Sequence, residues 1–278
     1  MTVASLLALA SMPRCELEAI VERIERIERT ERTERAERTE RIERIERIRR
    51  VPRDTFRRRR GRPWSVSLRH RILITCVALR TNLTFRELAA CASIPLSTAH
   101  RIVAALTPKL ANLLGPPPRD RRVLWVVDGT LIPTRDHTCA ARSKNYRYSC
   151  NAQILIRQHD LRVIATAAGG PGNRNDPTHY RSSRIEPLCR AHRRVLADGG
   201  YRGIRELVTP VFRGRSIVRD DAWRRHCRRR ARVEHAIGRL KTWRVLRDHR
   251  RRGRHLDDTV RAVAFLHNLR LTELRNNP

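Results

Sequence analysis

The spacing of apolar positions changes at clear points along the chain, and each change predicts an element. Residues 22–48 are nine consecutive triplets of Glu-Arg followed by Ile, Thr or Ala. A three-residue period drifts around a helix of 3.6 residues per turn, so the third positions never build one apolar stripe. Each Glu does meet an Arg four residues on, which supports an isolated charged helix. This segment reads as a lone helix or a disordered extension, outside any core. From Val66 the spacing turns helical, with Leu68, Ile72, Leu73, Cys76, Val77 and Leu79 on a first helix. Thr84-Phe-Arg-Glu87 is a capping box that opens a short second helix through Cys91. Ser93-Ile94-Pro95 reads as a turn, and 96–110 as a third helix with Ile102, Val103 and Leu106 inward. Gly115-Pro116-Pro117-Pro118 then makes a stiff, extended boundary.

Beyond that boundary the pattern is mixed. Residues 123–128 form an apolar run without polar alternation, the mark of a buried strand. Residues 148–156 and 161–167 read as a hairpin around Gln158-His159-Asp160, and 169–175 as a glycine-rich loop. Asp176-Pro177 looks like an N-cap followed by proline at the first helical position, opening a helix towards His192. Residues 194–198 give another strand; 223–243 and 256–274 are helical. Three strands, a helical crossover and a fourth strand set the fourth parallel to the first. Their carboxyl ends then lie side by side, where α/β sheets bind ligands.

Three acidic residues fall at informative places in this scheme. Asp128 closes the first run and precedes Gly129-Thr130; Asp198 closes Val195-Leu196-Ala197 and precedes Gly199-Gly200-Tyr201. Cys227, Arg230, Glu234, Ile237 and Lys241 follow steps of three and four, so they share one helix face. Carboxylates from two strand ends and one helix can hold Mg²⁺, which prefers hard oxygen ligands. Two such ions stabilise both the attacking and the leaving oxygen of a phosphodiester. Asp176 reads as a cap rather than a fourth ligand, and His235 points roughly 100° away from Glu234.

Charge narrows the partner. The 278 residues carry 61 Lys+Arg against 28 Asp+Glu, a net charge of +33, which favours a polyanion such as double-stranded DNA. The triplet segment is neutral, so the excess lies elsewhere. Between 213 and 255, seventeen Lys and Arg face only Asp220, Asp221, Glu234 and Asp248, which suits a phosphate-lined channel. A short capped helix, a tight turn and a longer helix match a helix-turn-helix. Ser97, Thr98, His100 and Arg101 then sit at the start of the recognition helix, where base edges are read. The arginines at 57–60 form a basic linker suited to phosphates. The seven cysteines include no Cys-x-x-Cys; Cys189-x-x-His192 and His226-Cys227 lack a matching pair for zinc. No apolar run approaches the ~20 residues of a membrane span, and no positive charge precedes the short apolar stretch 3–12. A cytoplasmic, nucleoid-associated protein with reduced thiols is expected, with no membrane and no small-molecule cofactor.

The ordered motifs resemble those of DDE transposases of the IS5 kind, within the ribonuclease H-like transposases and integrases. The matching motifs are Asp128-Gly-Thr-x-Ile-Pro, Asn175-Asp176, Asp198-Gly-Gly-Tyr-x-Gly and Val233-Glu234-x-x-Ile-Gly-Arg-Leu-Lys241. The signature Tyr-x2-Arg-x3-Glu-x6-Lys fits at Arg230, Glu234 and Lys241, with Cys227 in place of its tyrosine. The resemblance implies an α/β fold with a ribonuclease H-like mixed sheet over 119–278. It is preceded by an all-α helix-turn-helix domain over 61–114 and by the charged extension 1–60. It further implies two Mg²⁺ (or Mn²⁺) ions on Asp128, Asp198 and Glu234, end phosphates contacted by Arg230 and Lys241, and a homodimer on DNA. Two other readings fit parts of the pattern: a nuclease of the same fold without strand transfer, and a non-catalytic DNA-binding regulator.

Overall fold

The computed structural model describes residues 2–49, 64–118, 122–142, 147–192, 194–252 and 255–276. The basic linker at 57–60 lies outside the described residues. Helix α1 (Val3–Ala10) begins at Thr2, whose hydroxyl caps the Ser5 amide, and α2 runs over Arg14–Arg49. Leu6, Leu7, Ala10 and Met12, with Leu17, Ile20 and Ile24 of α2, are buried against α3 (Leu68–Thr81) and its neighbours. The triplet segment is therefore not wholly outside the core, because Ile24 belongs to its first triplet. Leu17, Ile20 and Ile24 step by three and four, making the short stripe that the triplets alone cannot. Further along, residues 31–38 are exposed, and Lys109 Nζ ties Glu28 (3.0 Å) and Glu31 (3.3 Å) of α2 to the helical module.

That module follows the sequence closely. In α4 (Phe85–Ala92) both halves of the Thr84–Glu87 capping box are made. Ser93 adopts φ 53°, and α5 (Leu96–Asn112) leaves α4 at 102°. A three-residue turn and a near-perpendicular second helix are helix-turn-helix geometry. Among the described residues no single helix is long and apolar enough to cross a membrane.

The sheet comprises β1 (Trp125–Pro133), β2 (Ala141–Arg142), β3 (Tyr148–Arg157), β4 (Val163–Pro171), β5 (Val195–Leu196) and β6 (Leu207–Val208). Its order is β2-β3-β1-β5-β6, with β4 also on β3. The β1, β3 and β4 pairings are antiparallel; β1, β5 and β6 run parallel. Between β4 and β5 lie α6 (Asp176–Arg181) and α7 (Ile185–Ala191). After β6 come the hairpin β7–β8 (Phe212–Arg213, Ser216–Ile217), α8 (Asp221–Leu240) and α9 (His255–Asn276). This is the expected mixed α/β sheet flanked by helices, with a helical region before it.

Alternation along the strands divides the two faces. Val126, Ile154, Ile156 and Leu196 pack with α8, α9 and the N-terminal helices. Trp125, Val127, Leu155 and Val195 pack with Tyr180 of α6 and with Ile185 and Cys189 of α7. Helix α9 joins the two regions, because it packs on both α5 and β4. Its Asn268 side chain donates to the Val163 carbonyl and accepts from the Val163 amide, both at 2.8 Å.

Several expectations need correction. Strand β1 does not end at Asp128 but continues to Pro133 along β3, since antiparallel pairing persists after the parallel partner has gone. The single helix expected after Asp176 is two. Ser183 Oγ caps Ile185, and Pro187 lacks the amide needed to carry a helix through. Strands β6, β7 and β8 carried no sequence signal, being two residues each.

Candidate active site

Strands β1 and β5 share only two parallel pairs, Trp125 with Val195 and Val126 with Leu196. Asp128 and Asp198 each follow two residues later, so they lie at the same level, Asp128 within β1 and Asp198 just beyond β5. Both have the parity of Val126 and Leu196 and so belong to the face covered by α8. Asp198 ends its strand by capping the short 3₁₀ turn Gly199–Tyr201, with its Oδ1 accepting from the Gly200 amide at 2.9 Å. Asp128 Oδ1 accepts from the Gly129 amide at 2.9 Å. Helix α8 starts at Asp220, which caps Trp223, and it buries Val233, Ala236 and Leu240. Arg230 and Glu234 occupy the strip beside that stripe, with Arg230 reaching Asp128 of β1.

One guanidinium links the helix to the strand. Arg230 donates to Asp128 Oδ2 at 3.3 Å and, through its other terminal nitrogen, to Glu234 Oε1. The Asp128 side chain is 15% exposed and that of Glu234 53%. Burial pushes the Asp128 carboxyl up to about 7; Arg230 opposes the rise, while the charges of Asp198 and Asp176 add to it. As the side chains stand, no three His, Cys, Asp or Glu residues among those described are gathered around one point that could hold a cation. Asp128 and Glu234 are instead gathered on Arg230.

Asp176 is the residue that sequence reasoning undervalued. The cap of α6 is Asn175, whose side chain accepts from the Thr178 amide at 3.1 Å. With capping done by its neighbour, Asp176 turns inward: Oδ1 accepts from Asn151 Nδ2 at 2.7 Å and from Gln153 Nε2 at 3.3 Å. A Cβ on Gly129 would lie 1.9 Å from that same oxygen. Beneath it the buried Tyr201 hydroxyl donates to Gln153 Oε1 at 2.5 Å. Burial raises the pKa of that hydroxyl, and Asp176, Asp128 and Asp198 raise it further. The available signal was the Asn175-Asp176-Pro177 order, in which either polar residue can cap.

The remaining candidates separate. Lys241 does not reach the acids; its ammonium donates to the Leu131 carbonyl at 3.2 Å, and burial, then Arg247, lowers its pKa. Cys227 is half-buried, and its neighbour His226 bonds the Ala197 carbonyl at 2.9 Å. In the helical module Ser97, His100 and Arg101 are exposed and Thr98 is half-buried, while Ala99, Ile102 and Val103 face inward. The Arg101 guanidinium lies over Trp64 at 4.8 Å, with Arg71 at 5.0 Å from the same ring. His100 meets Phe85 edge-on at 5.0 Å. Trp64 was missed because an isolated Trp after a basic run has no period to assign it.

A family model described as the transposase DDE domain matches residues 119–269. The chain belongs to the DDE transposase family. A putative transposase for insertion sequence element IS112, from Streptomyces albus G, is 42% identical over 220 residues, covering 77% of this chain and 84% of that protein. The matched family region spans Asp128, Asp176, Asp198 and all of α8 with Glu234.

Proposed function

We propose that the chain cuts DNA at the ends of an insertion sequence of the IS5 kind and joins the freed 3′ ends to target DNA. The observation that supports this reading is the equal level of Asp128 and Asp198 beyond the two parallel pairs of β1 and β5, with Glu234 of α8 linked to Asp128 through Arg230. The donors fit a divalent cation: all are hard carboxylate oxygens, and among the described residues the cationic side chain bonded to Asp128 and Glu234 is Arg230. Asp128, Asp198 and Glu234 would hold two Mg²⁺ or Mn²⁺ ions, which would supply charge stabilisation to the attacking and leaving oxygens.

The chain's own groups supply placement. Gly129 and Gly200 amides fix one oxygen of Asp128 and of Asp198, leaving the second of each for the cation or, at Asp128, for Arg230. Arg230 exchanges its carboxylates for a DNA phosphate, a bidentate partner of equal geometry. Lys241, held on the Leu131 carbonyl, braces α8 on β1, and its contact to end phosphates requires release of that bond. The exposed start of α5 reads the end sequence in the major groove, and a homodimer pairs the two ends.

The test is incubation of the full chain and Mg²⁺ with DNA bearing matched ends and a supercoiled target. Nicked ends joined to target support strand transfer. Nicking without joined product supports the nuclease reading. Binding without nicking supports a regulator.

A further inference from the structure

We propose that Asn82 is a positioning residue for cleavage: through Asp248 and His249 it fixes which phosphate of the bound end reaches Asp128. The proposal rests on the cleavage reading given above. Asn82 ends α3 in the left-handed region, at φ 57°, two residues before the Thr84 cap that opens α4. The turn and α5 follow from that cap, so the place of Asn82 sets where the base-reading helix starts. Its side-chain amide donates to the Asp248 carbonyl at 2.8 Å, across 166 positions of sequence. Capping does not require that bond, because the Asn82 backbone amide already closes α3 on the Ala78 carbonyl.

The next residue holds the catalytic strand. His249 is buried; its backbone amide donates to the Pro133 carbonyl at 2.8 Å, and its carbonyl accepts from the Arg135 amide at 3.0 Å. These bonds pair it in parallel with Thr134, directly after β1. The Asp248 carboxylate adds the Arg135 side chain at 2.8 and 3.2 Å. From Pro133 back to Asp128, β1 stays paired with β3 over about 17 Å, at ~3.3 Å per residue. Two adjacent residues thus tie the start of the helical module to the strand of Asp128. A second tie lies beside them: Arg80 donates to Thr242 Oγ1 at 2.7 Å and lies over the Trp243 ring at 5.4 Å. Helix α9 also joins the two regions by packing, but apolar burial is non-directional. Hydrogen bonds have preferred angles, so these ties set the register between base reading and cutting.

The experiment maps cut positions to single nucleotides, using the full chain, Mg²⁺ and end-labelled DNA bearing matched ends. Asn82→Gly removes the side-chain donor and keeps the left-handed backbone. It is expected to bind the ends within about twofold of the parent, since no base or phosphate contact is lost. The ratio of parental to displaced cuts is expected to fall about 2- to 10-fold, the worth of one neutral hydrogen bond. A purely structural role lowers melting temperature and product yield but leaves the cut where it was. Arg80→Met, which removes the second tie, is expected to displace cuts in the same way and gives the reading if Asn82→Gly does not fold. Cuts confined to the parental phosphate in the folded variant overturn the role of Asn82, whatever the yield, and leave the cleavage reading intact. A parent that makes no cut at a defined phosphate overturns both.

Discussion

Arg230 bonds Asp128 at 3.3 Å across 102 positions of sequence, and the same guanidinium holds Glu234 one helical turn further along α8. A cation shared by those carboxylates must displace it. Arg230→Gln is therefore expected to bind Mn²⁺ roughly two- to fivefold more tightly without DNA, matching the ~0.5–1 kcal/mol of a part-exposed ion pair. Cleavage by the same variant is expected to fall, because the phosphate loses its bidentate donor. Titration and a cleavage assay on one preparation check both; weaker Mn²⁺ binding removes Arg230 as a competitor.

Asp128→Asn, Asp198→Asn and Glu234→Gln are each expected to abolish strand cleavage while leaving DNA binding within about twofold of the parent. Each keeps shape and removes one anionic ligand of a hard cation, whereas affinity for DNA rests on phosphate contacts elsewhere. Gel-shift and cleavage assays on the same end sequence decide it. Retained cleavage in any one variant takes that residue out of the site.

Stability of the metal-free protein is expected to depend on pH through two carboxyls. Burial raises Asp128 from 3.8 to about 7, and Glu16, buried on α2, from 4.5 to about 7. A raised carboxyl pKa means that the folded form binds the proton more tightly. Its contribution is complete below the unfolded values near 4 and is lost as pH rises through about 7. Melting temperature in EDTA is expected to drop across that window, with Glu16→Gln and Asp128→Asn each flattening the drop. Affinity for Mg²⁺ runs the other way, rising through about pH 7 as Asp128 ionises. A flat melting profile rejects both carboxyls as buried acids.

The N-terminal helices are expected to matter for folding. Ile20→Ala opens a cavity under a fully buried side chain, for an expected loss of about 2–5 kcal/mol. Thr33→Ala, on the exposed part of the same helix, is expected to stay within ~0.5 kcal/mol. Urea unfolding of the two variants gives the comparison, and equal stabilities would mean that α2 does not pack through Ile20.

Arg101→Ala is expected to lose ~1–3 kcal/mol of preference for the end sequence over random DNA, the worth of one bidentate base contact. Trp64 carries Arg101 on its ring, so Trp64→Ala is expected to lose part of the same preference. Competition binding at fixed salt measures it. Equal weakening on both DNAs would reassign Arg101 to a phosphate.

The sequence by itself determined the order of the longer elements, the capping box and turn of the helical module, and the parallel neighbour of the first strand. Those features are written in local signals: apolar period, cap residues and glycine or proline punctuation, each read within a turn or a strand. Tertiary structure alone decided what depends on which face meets which. It buried Ile24 within a repeat that lacks a stripe, because α2 starts eight residues before the repeat and presents Leu17 and Ile20 with it. It placed Arg230 between Asp128 and Glu234, a pairing set by how α8 lies across β1. It also turned Asp176 from a cap into a neighbour of Gly129, since only the packed sheet brings Asn151 and Gln153 behind that glycine. Contacts between residues far apart in sequence depend on the packed arrangement of all the elements, and no local pattern contains it.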